Sequence, residues 1–120
     1  MDKPKKITVA DDDPGILDAV GMMLEMEGYE VNATLNGNTI FSHTELPDAY
    51  ILDIWMSGSD GRDLCKRLKN EEKTKDIPVI LISASNDLKK SAELAGADDF
   101  LAKPFDIDIL LQKVEKAVSR

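Results

Sequence analysis

The chain has 120 residues, 42% hydrophobic and 32% charged, with a formal net charge of −8 at pH 7. That length suits one domain, able to bury roughly two-thirds of its unfolded surface without disulfide or metal staples. The acidic balance argues against non-specific nucleic-acid binding, no apolar run reaches the about 18 residues of a membrane span, and the basic start Met1-Asp-Lys-Pro-Lys-Lys6 has no long apolar stretch behind it to make a signal peptide. A cytoplasmic protein is expected. Cys65 is the one cysteine and falls in a helix-like segment, where a core or half-buried thiol is expected over a reactive one.

Ile7-Thr-Val-Ala10 predicts a short strand running into Asp11-Asp12-Asp13-Pro14, where Asp13 suits a helix N-cap and Pro14 its first turn. Ile16, Leu17, Val20, Met23 and Leu24 form a helical stripe, and Gly28 is its left-handed stop. Tyr29 to Ala33 alternates like a half-buried strand. Asn36-Gly37-Asn38 predicts a turn, and a short helix is expected over Thr39 to His43. Tyr50-Ile-Leu-Asp53 predicts a buried strand that ends on a carboxylate and opens into a loop with Gly58 and Gly61. Asp60 to Leu68 predicts a helix with Leu64 and Leu68 inward. Pro78 to Ile82 predicts a strand buried on both faces, ending at Ser83-Ala84-Ser85. Leu88, Ala92 and Ala95 mark a helix stopped at Gly96. Asp98 to Ala102 predicts a strand leading to Lys103-Pro104-Phe105, and Ile107, Leu110, Leu111, Val114 and Val118 give the last helix its apolar face.

Five repeats of strand then helix predict a parallel sheet, because each crossover returns the chain to the same end. The carboxyl ends of all five strands then share one rim, which is where open α/β sheets bind ligands. Asp11, Asp12 and Asp13 come from the first strand, Asp53 from the third, Ser83 from the fourth and Lys103 from the fifth. Carboxylates gathered in one pocket repel one another unless a cation sits among them. Hard oxygen ligands in a small pocket suit Mg²⁺, and His43, the only histidine, cannot build a zinc site. Lys103 offers a point charge for an anion and Ser83 a hydroxyl. Together these groups describe phosphoryl transfer to Asp53 as nucleophile.

The runs Val9-Ala10-Asp11-Asp12-Asp13-Pro14, Leu52-Asp53 with Met56 and Gly58…Asp60-Gly61, Ile82-Ser83-Ala84, and Asp98-Asp99-Phe100-Leu101-Ala102-Lys103-Pro104-Phe105 resemble the receiver domain of two-component response regulators, of the single-domain chemotaxis-regulator kind. The resemblance covers essentially the whole chain and implies one receiver domain over 1–120. It implies an α/β, (βα)5 flavodoxin-like fold: a five-stranded parallel sheet of order 2-1-3-4-5 with helices on both faces, an order for which this family's chemotaxis regulator is a standard example. It implies Asp53 as phospho-acceptor, Asp12 as a direct Mg²⁺ ligand, Asp11 acting more through water, and the Trp55 main-chain carbonyl as a further ligand. Ser83 is implied as the switch hydroxyl, Lys103 as the contact to a phosphoryl oxygen, Phe100 as the switch aromatic, and Lys103–Pro104 as a cis peptide. Implied partners are a sensor histidine kinase or phosphotransfer protein, and a downstream protein or effector domain reached through the last two helices and last strand. Direct nucleic-acid and membrane contacts are not expected. The implied activity is a self-phosphorylating and autodephosphorylating switch, not a metabolic enzyme. Two departures stand out. Ser57 replaces the family's common proline, and bulky Trp55 with Ser85 occupies the positions that tune water access to the phosphoryl group.

Three rival readings fit the residues less well. A small-molecule phosphatase would need a substrate pocket that 120 residues leave no cap domain to build. A non-phosphorylated interaction module predicts loss of Asp53, Lys103 or an acidic partner, and all are present. A flavin-binding protein of this topology would set three carboxylates against the FMN phosphate.

Overall fold

A computed structural model describes residues 3–42, 45–56, 58–84 and 88–119. The elements in chain order are β1 (Lys6–Ala10), α1 (Pro14–Met26), β2 (Glu30–Thr34), a 3₁₀ helix (Gly37–Ser42), β3 (Ala49–Asp53), β4 (Trp55–Met56), β5 (Ser59–Asp60), α2 (Gly61–Asn70), β6 (Val79–Ser83), α3 (Leu88–Ala95), β7 (Asp99–Ala102) and α4 (Ile107–Val118). Five strands form one parallel sheet in the order β2-β1-β3-β6-β7. Counted along the chain, those five strands have the expected order 2-1-3-4-5.

β3 and β6 are buried along their whole length, as strands covered on both faces must be. Side chains alternate across the pleat. Tyr50, Leu52, Val79 and Leu81 pack with Leu64 and Leu68 of α2 and Leu88 and Ala92 of α3. Ala49, Ile51, Ile80 and Ile82 pack with Leu17, Val20 and Leu24 of α1 and Leu110 and Val114 of α4. The sheet is thus sandwiched between two helix pairs, and each pair contributes the apolar stripe that the sequence spacing predicts.

Several local stops follow the sequence. Asp13 caps α1, accepting from Gly15 N at 2.9 Å and Ile16 N at 3.4 Å, with Pro14 in the first turn. Gly28 and Gly96, at φ +95° and +80°, follow α1 and α3. The Lys103–Pro104 peptide is cis.

Other elements depart from expectation. The stretch after Asp53 is not an open loop but a small hairpin, β4 pairing antiparallel with β5. The predicted Asp60–Leu68 helix starts one residue later, because Asp60 is its N-cap, and runs on to Asn70. In place of a turn followed by a helix over Thr39–His43, a 3₁₀ helix begins at Gly37 itself. A Cβ on Gly37 would meet Leu64 Cδ1 at 2.6 Å and Met56 Cε at 2.8 Å, so glycine lets this segment sit under the hairpin. His43, Ser57 and Ser85 lie outside the described residues. Among the described residues no helix is long and apolar enough to cross a membrane.

Candidate functional site

The sheet ladder carries the site residues past the formal strand ends. Asp11 N–H donates to Thr34 O at 3.1 Å, Ile54 N–H to Ile82 O at 2.9 Å, and Lys103 N–H to Ser83 O at 2.9 Å. The backbone at Asp11, beside Asp53 and at Lys103 is therefore held by the same hydrogen bonds that hold the sheet, which makes a rigid platform. Gly61 abuts Asp53 from the other side. A Cβ there would lie 2.3 Å from the Asp53 carbonyl oxygen, so only glycine allows α2 to start against the end of β3.

The side chains converge. Asp11, Asp12 and Asp53 each offer a carboxylate oxygen, and these oxygens lie within 4.8 Å of one another. Asp11 and Asp53 are buried and Asp12 is exposed. The Lys103 ammonium lies 3.0 Å from Asp11 Oδ2 and 3.3 Å from Asp53 Oδ2. Asp11 Oδ1 accepts from Asp13 N–H at 2.9 Å. Asp11 Oδ2 is fully buried and, although the ammonium is close, receives no aligned hydrogen bond. It is an ion pair by distance, with acceptor capacity left over. Ser83 is fully buried at the end of β6, paired in register with Ala102.

The electrostatics follow from this crowding. Burial, then the charge of Asp11, pushes the Asp53 carboxyl up to about 6; the Lys103 charge and hydrogen bond oppose that, and Asp12 adds to it. Burial draws the Lys103 ammonium down, but Asp11 and Asp53 outweigh it and the net direction is up. One lysine between two carboxylates neutralises half of their charge. The group of three carboxylates remains short of positive charge, and the donor set is all oxygen. An oxygen-rich pocket with an unsatisfied buried carboxylate oxygen fits a small hard dication.

Of the residues singled out in the sequence, Asp11, Asp12, Asp53 and Lys103 come together directly, and Ser83 ends the strand between β3 and β7. Phe100 lies in β7, half-buried against the core on the α2/α3 face. Trp55 is 56% exposed in β4. Sequence reasoning passed over Arg62, which stands over the Trp55 ring at 4.6 Å and grips Asp60. A single charged residue in the first turn of an amphipathic helix gives no signal of its own.

The profile of the response regulator receiver domain family matches residues 7–115. The chain belongs to the response regulator receiver domain family. Receiver domains are, as a family, phosphorylation-dependent signalling switches rather than metabolic enzymes. This receiver is similar to the DNA-binding dual master transcriptional regulator RpaA of Synechocystis sp., 36% identical over 119 residues that cover 96% of this chain and 49% of that protein. It is similar to the phosphate regulon transcriptional regulatory protein PhoB of Rhizobium meliloti, 33% identical, covering 96% of this chain and 52% of that protein. The receiver thus spans about half the length of these curated relatives. Among solved structures, a Chloroflexus aurantiacus J-10-fl chain assigned as a response regulator superposes with a TM-score of 0.92 at 34% identity, over 98% of this chain and all of that one.

Proposed function

We propose that this receiver takes a phosphoryl group onto Asp53 from the phosphohistidine of a sensor histidine kinase or phosphotransfer protein, in a Mg²⁺-dependent reaction, and that residues 1–120 act as one switch. The observation that carries this reading is the buried Asp53 carboxylate, set within 4.8 Å of those of Asp11 and Asp12 and 3.3 Å from the Lys103 ammonium.

Asp11, Asp12, Asp53 and the main-chain carbonyl of Trp55 would hold the cation. When bound, Mg²⁺ supplies neutralising charge for the carboxylates and for the phosphoryl oxygens. A carboxylate oxygen of Asp53 attacks phosphorus in line as the bond to the donor's imidazole nitrogen breaks, and the imidazole leaves as the neutral base on taking a proton. Lys103 faces the incoming oxygens. It already lies between Asp11 and Asp53, so it needs only a small shift from carboxylate to phosphoryl oxygen. Asp53 must be ionised to attack. With its carboxyl raised to about 6, it is ionised at neutral pH and more basic than an ordinary aspartate.

The product carries new charge and strong acceptor oxygens at the rim. Ser83, at the end of β6 beside β3, answers them with its hydroxyl, and Phe100 in β7 reads its movement. The face made by α3, β7 and α4 then shifts between two arrangements and changes its grip on a downstream protein or effector domain. The net charge of −8 favours a protein partner for this face over direct contact with nucleic acid. Hydrolysis of the acyl phosphate at the same site returns the switch to rest.

Trp55 is the only tryptophan and lies two residues past the acceptor, so its fluorescence reports on the site. Titration with MgCl₂, then with beryllium fluoride, is expected to give two successive changes in wild type. In Asp53→Asn the second is expected to vanish. A second change that persists in Asp53→Asn would overturn the assignment of the acceptor.

A further inference from the structure

The hairpin after Asp53 carries a clasp that the proposed reaction does not use. Gly61 N–H donates to Ile54 O at 2.8 Å, so the hydrogen-bonded steps of the ladder fall at Ile54–Gly61 and, by alternation, at Met56–Ser59. The pair between them is Trp55 and Asp60. In an antiparallel ladder such a pair turns its backbone groups outward while its side chains draw together. The Trp55 carbonyl is thus left out of the hairpin ladder, and its indole faces the Asp60 side chain.

Arg62 fills that close approach. Its Nε donates to Asp60 Oδ1 at 3.0 Å and its Nη2 to Asp60 Oδ2 at 2.7 Å. Its guanidinium carbon stands 4.6 Å from the centroid of the Trp55 ring. A planar fork bonded through two nitrogens to one carboxylate, with an aromatic ring against its face, keeps little freedom. The same Asp60 Oδ1 also caps α2, accepting from Arg62 N–H at 2.8 Å. Arg62 therefore ties β4 to β5 and both to the start of α2. Each arm of this hairpin has two residues, too few to hold a register unaided.

We infer that Arg62 is a positioning residue for the cation: by clasping Trp55 to Asp60 it fixes the main chain at Trp55, whose carbonyl would be one of the metal's ligands. The inference rests on the proposed reading of the rim as a Mg²⁺ site. It predicts a sign that simple electrostatics does not. Removing a positive charge near a cation site strengthens cation binding by Coulomb's law, whereas removing the clasp loosens a ligand and weakens it.

The test is calorimetric titration of the full chain with MgCl₂ at physiological salt, for wild type, Arg62→Ala, Arg62→Lys and Arg67→Ala. Outer groups that orient metal ligands are worth about tenfold or more in affinity. Arg62→Ala is expected to weaken Mg²⁺ binding by about tenfold, and Arg62→Lys, which keeps the charge but loses the planar fork, to weaken it in the same direction. Arg67 removes the same charge from the same helix, but it stacks on Phe41 at 3.7 Å and pairs with Glu71 at 3.6 Å, away from the hairpin. Arg67→Ala is expected to keep wild-type affinity, whatever it does to the unfolding midpoint. Unchanged or tighter binding in Arg62→Ala, or wild-type affinity in Arg62→Lys where the alanine variant does not fold, overturns the clasp. No Mg²⁺ uptake by wild type removes the metal reading itself, and the clasp with it, which is a different result from uptake that ignores Arg62.

Discussion

Replacing Asp53 by asparagine should make the protein more stable at neutral pH. The Asp53 carboxyl titrates at about 6 in the folded protein, against 3.8 for the unperturbed group, with burial as the main cause and the Asp11 charge next. The difference of about 2.2 pH units corresponds to about 3 kcal/mol at 1.36 kcal/mol per unit. The side chain is 6% exposed, so solvent screening removes little of this. The folded state holds the Asp53 proton up to pH about 6, while the unfolded chain releases it near 3.8. Ionisation therefore costs the folded state nothing below pH about 3.8, an increasing amount between 3.8 and 6, and the full amount above 6. Asparagine has the same shape and no charge to lose. The opposing pull of Lys103 is already counted in the value of about 6, so the gain is about 3 kcal/mol at pH 7.5 and about 1 kcal/mol near pH 4.5. Urea unfolding in EDTA at the two pH values measures both numbers, and the neutral-pH gap corresponds to a midpoint shift on the order of 1 M. Adding Mg²⁺ at pH 7.5 should stabilise wild type more than the variant and narrow the gap. A variant no more stable than wild type at pH 7.5, or a gap that does not shrink on acidification, would refute the account of Asp53 as a buried, charge-crowded carboxylate.

Gly61→Ala, a change that favours an exposed helix by up to about 1 kcal/mol, should here destabilise by about 2 kcal/mol. The added methyl would meet the Asp53 carbonyl oxygen at 2.3 Å, and an unfolding midpoint above wild type would contradict that contact. Burial pushes the Cys65 thiol up to about 11, with Lys69 pulling down and Asp98 pushing up, and its Sγ donates to Ala95 O at 3.4 Å. A thiol reagent should therefore label the native protein far more slowly than the urea-unfolded chain, and equal rates would contradict the burial. Lys69 pairs with Asp98 at 2.6 Å and donates to Ile77 O at 2.9 Å, while the same Asp98 oxygen accepts from Val79 N–H at 2.8 Å. Lys69→Ala should cost about 1–3 kcal/mol by urea unfolding, more than the under about 1 kcal/mol of an ordinary surface pair.

The sheet was legible because its central strands are written in an unambiguous pattern. Tyr50 to Leu52 and Val79 to Ile82 are continuous apolar runs, and each ends on a polar residue that the parallel topology must bring to one rim. The helices announced their inner faces through Leu64 and Leu68, Leu88 and Ala92, Leu110 and Val114. Asp13-Pro14 and Gly28 bracketed α1 by capping chemistry that acts within a few residues and so is visible locally. The hairpin was not legible, because arms of two residues carry no period. Gly58 and Gly61 read alike as loop glycines, yet they differ in kind. Gly58 takes a positive φ of +77°, whereas Gly61 is required by the Asp53 carbonyl that a side chain would strike. Arg62 was invisible for a related reason. Its partners are set by the pairing of Trp55 with Asp60, a register fixed only in three dimensions. The depth to which Asp53 is buried, and hence its raised titration point, likewise depends on packing from both faces of the sheet.

Intact mass of wild type and Asp53→Asn, measured after incubation with a small phosphodonor in the presence and absence of Mg²⁺, reads phosphoryl uptake by Asp53 without an intermediary. Wild type is expected to gain one phosphoryl group in a reaction that needs Mg²⁺, a gain that is lost in Asp53→Asn and released by base as an acyl phosphate is. A wild-type mass that stays unchanged both with the phosphodonor and with a phosphorylated histidine kinase, or an equal gain in Asp53→Asn, would contradict Asp53 as the acceptor.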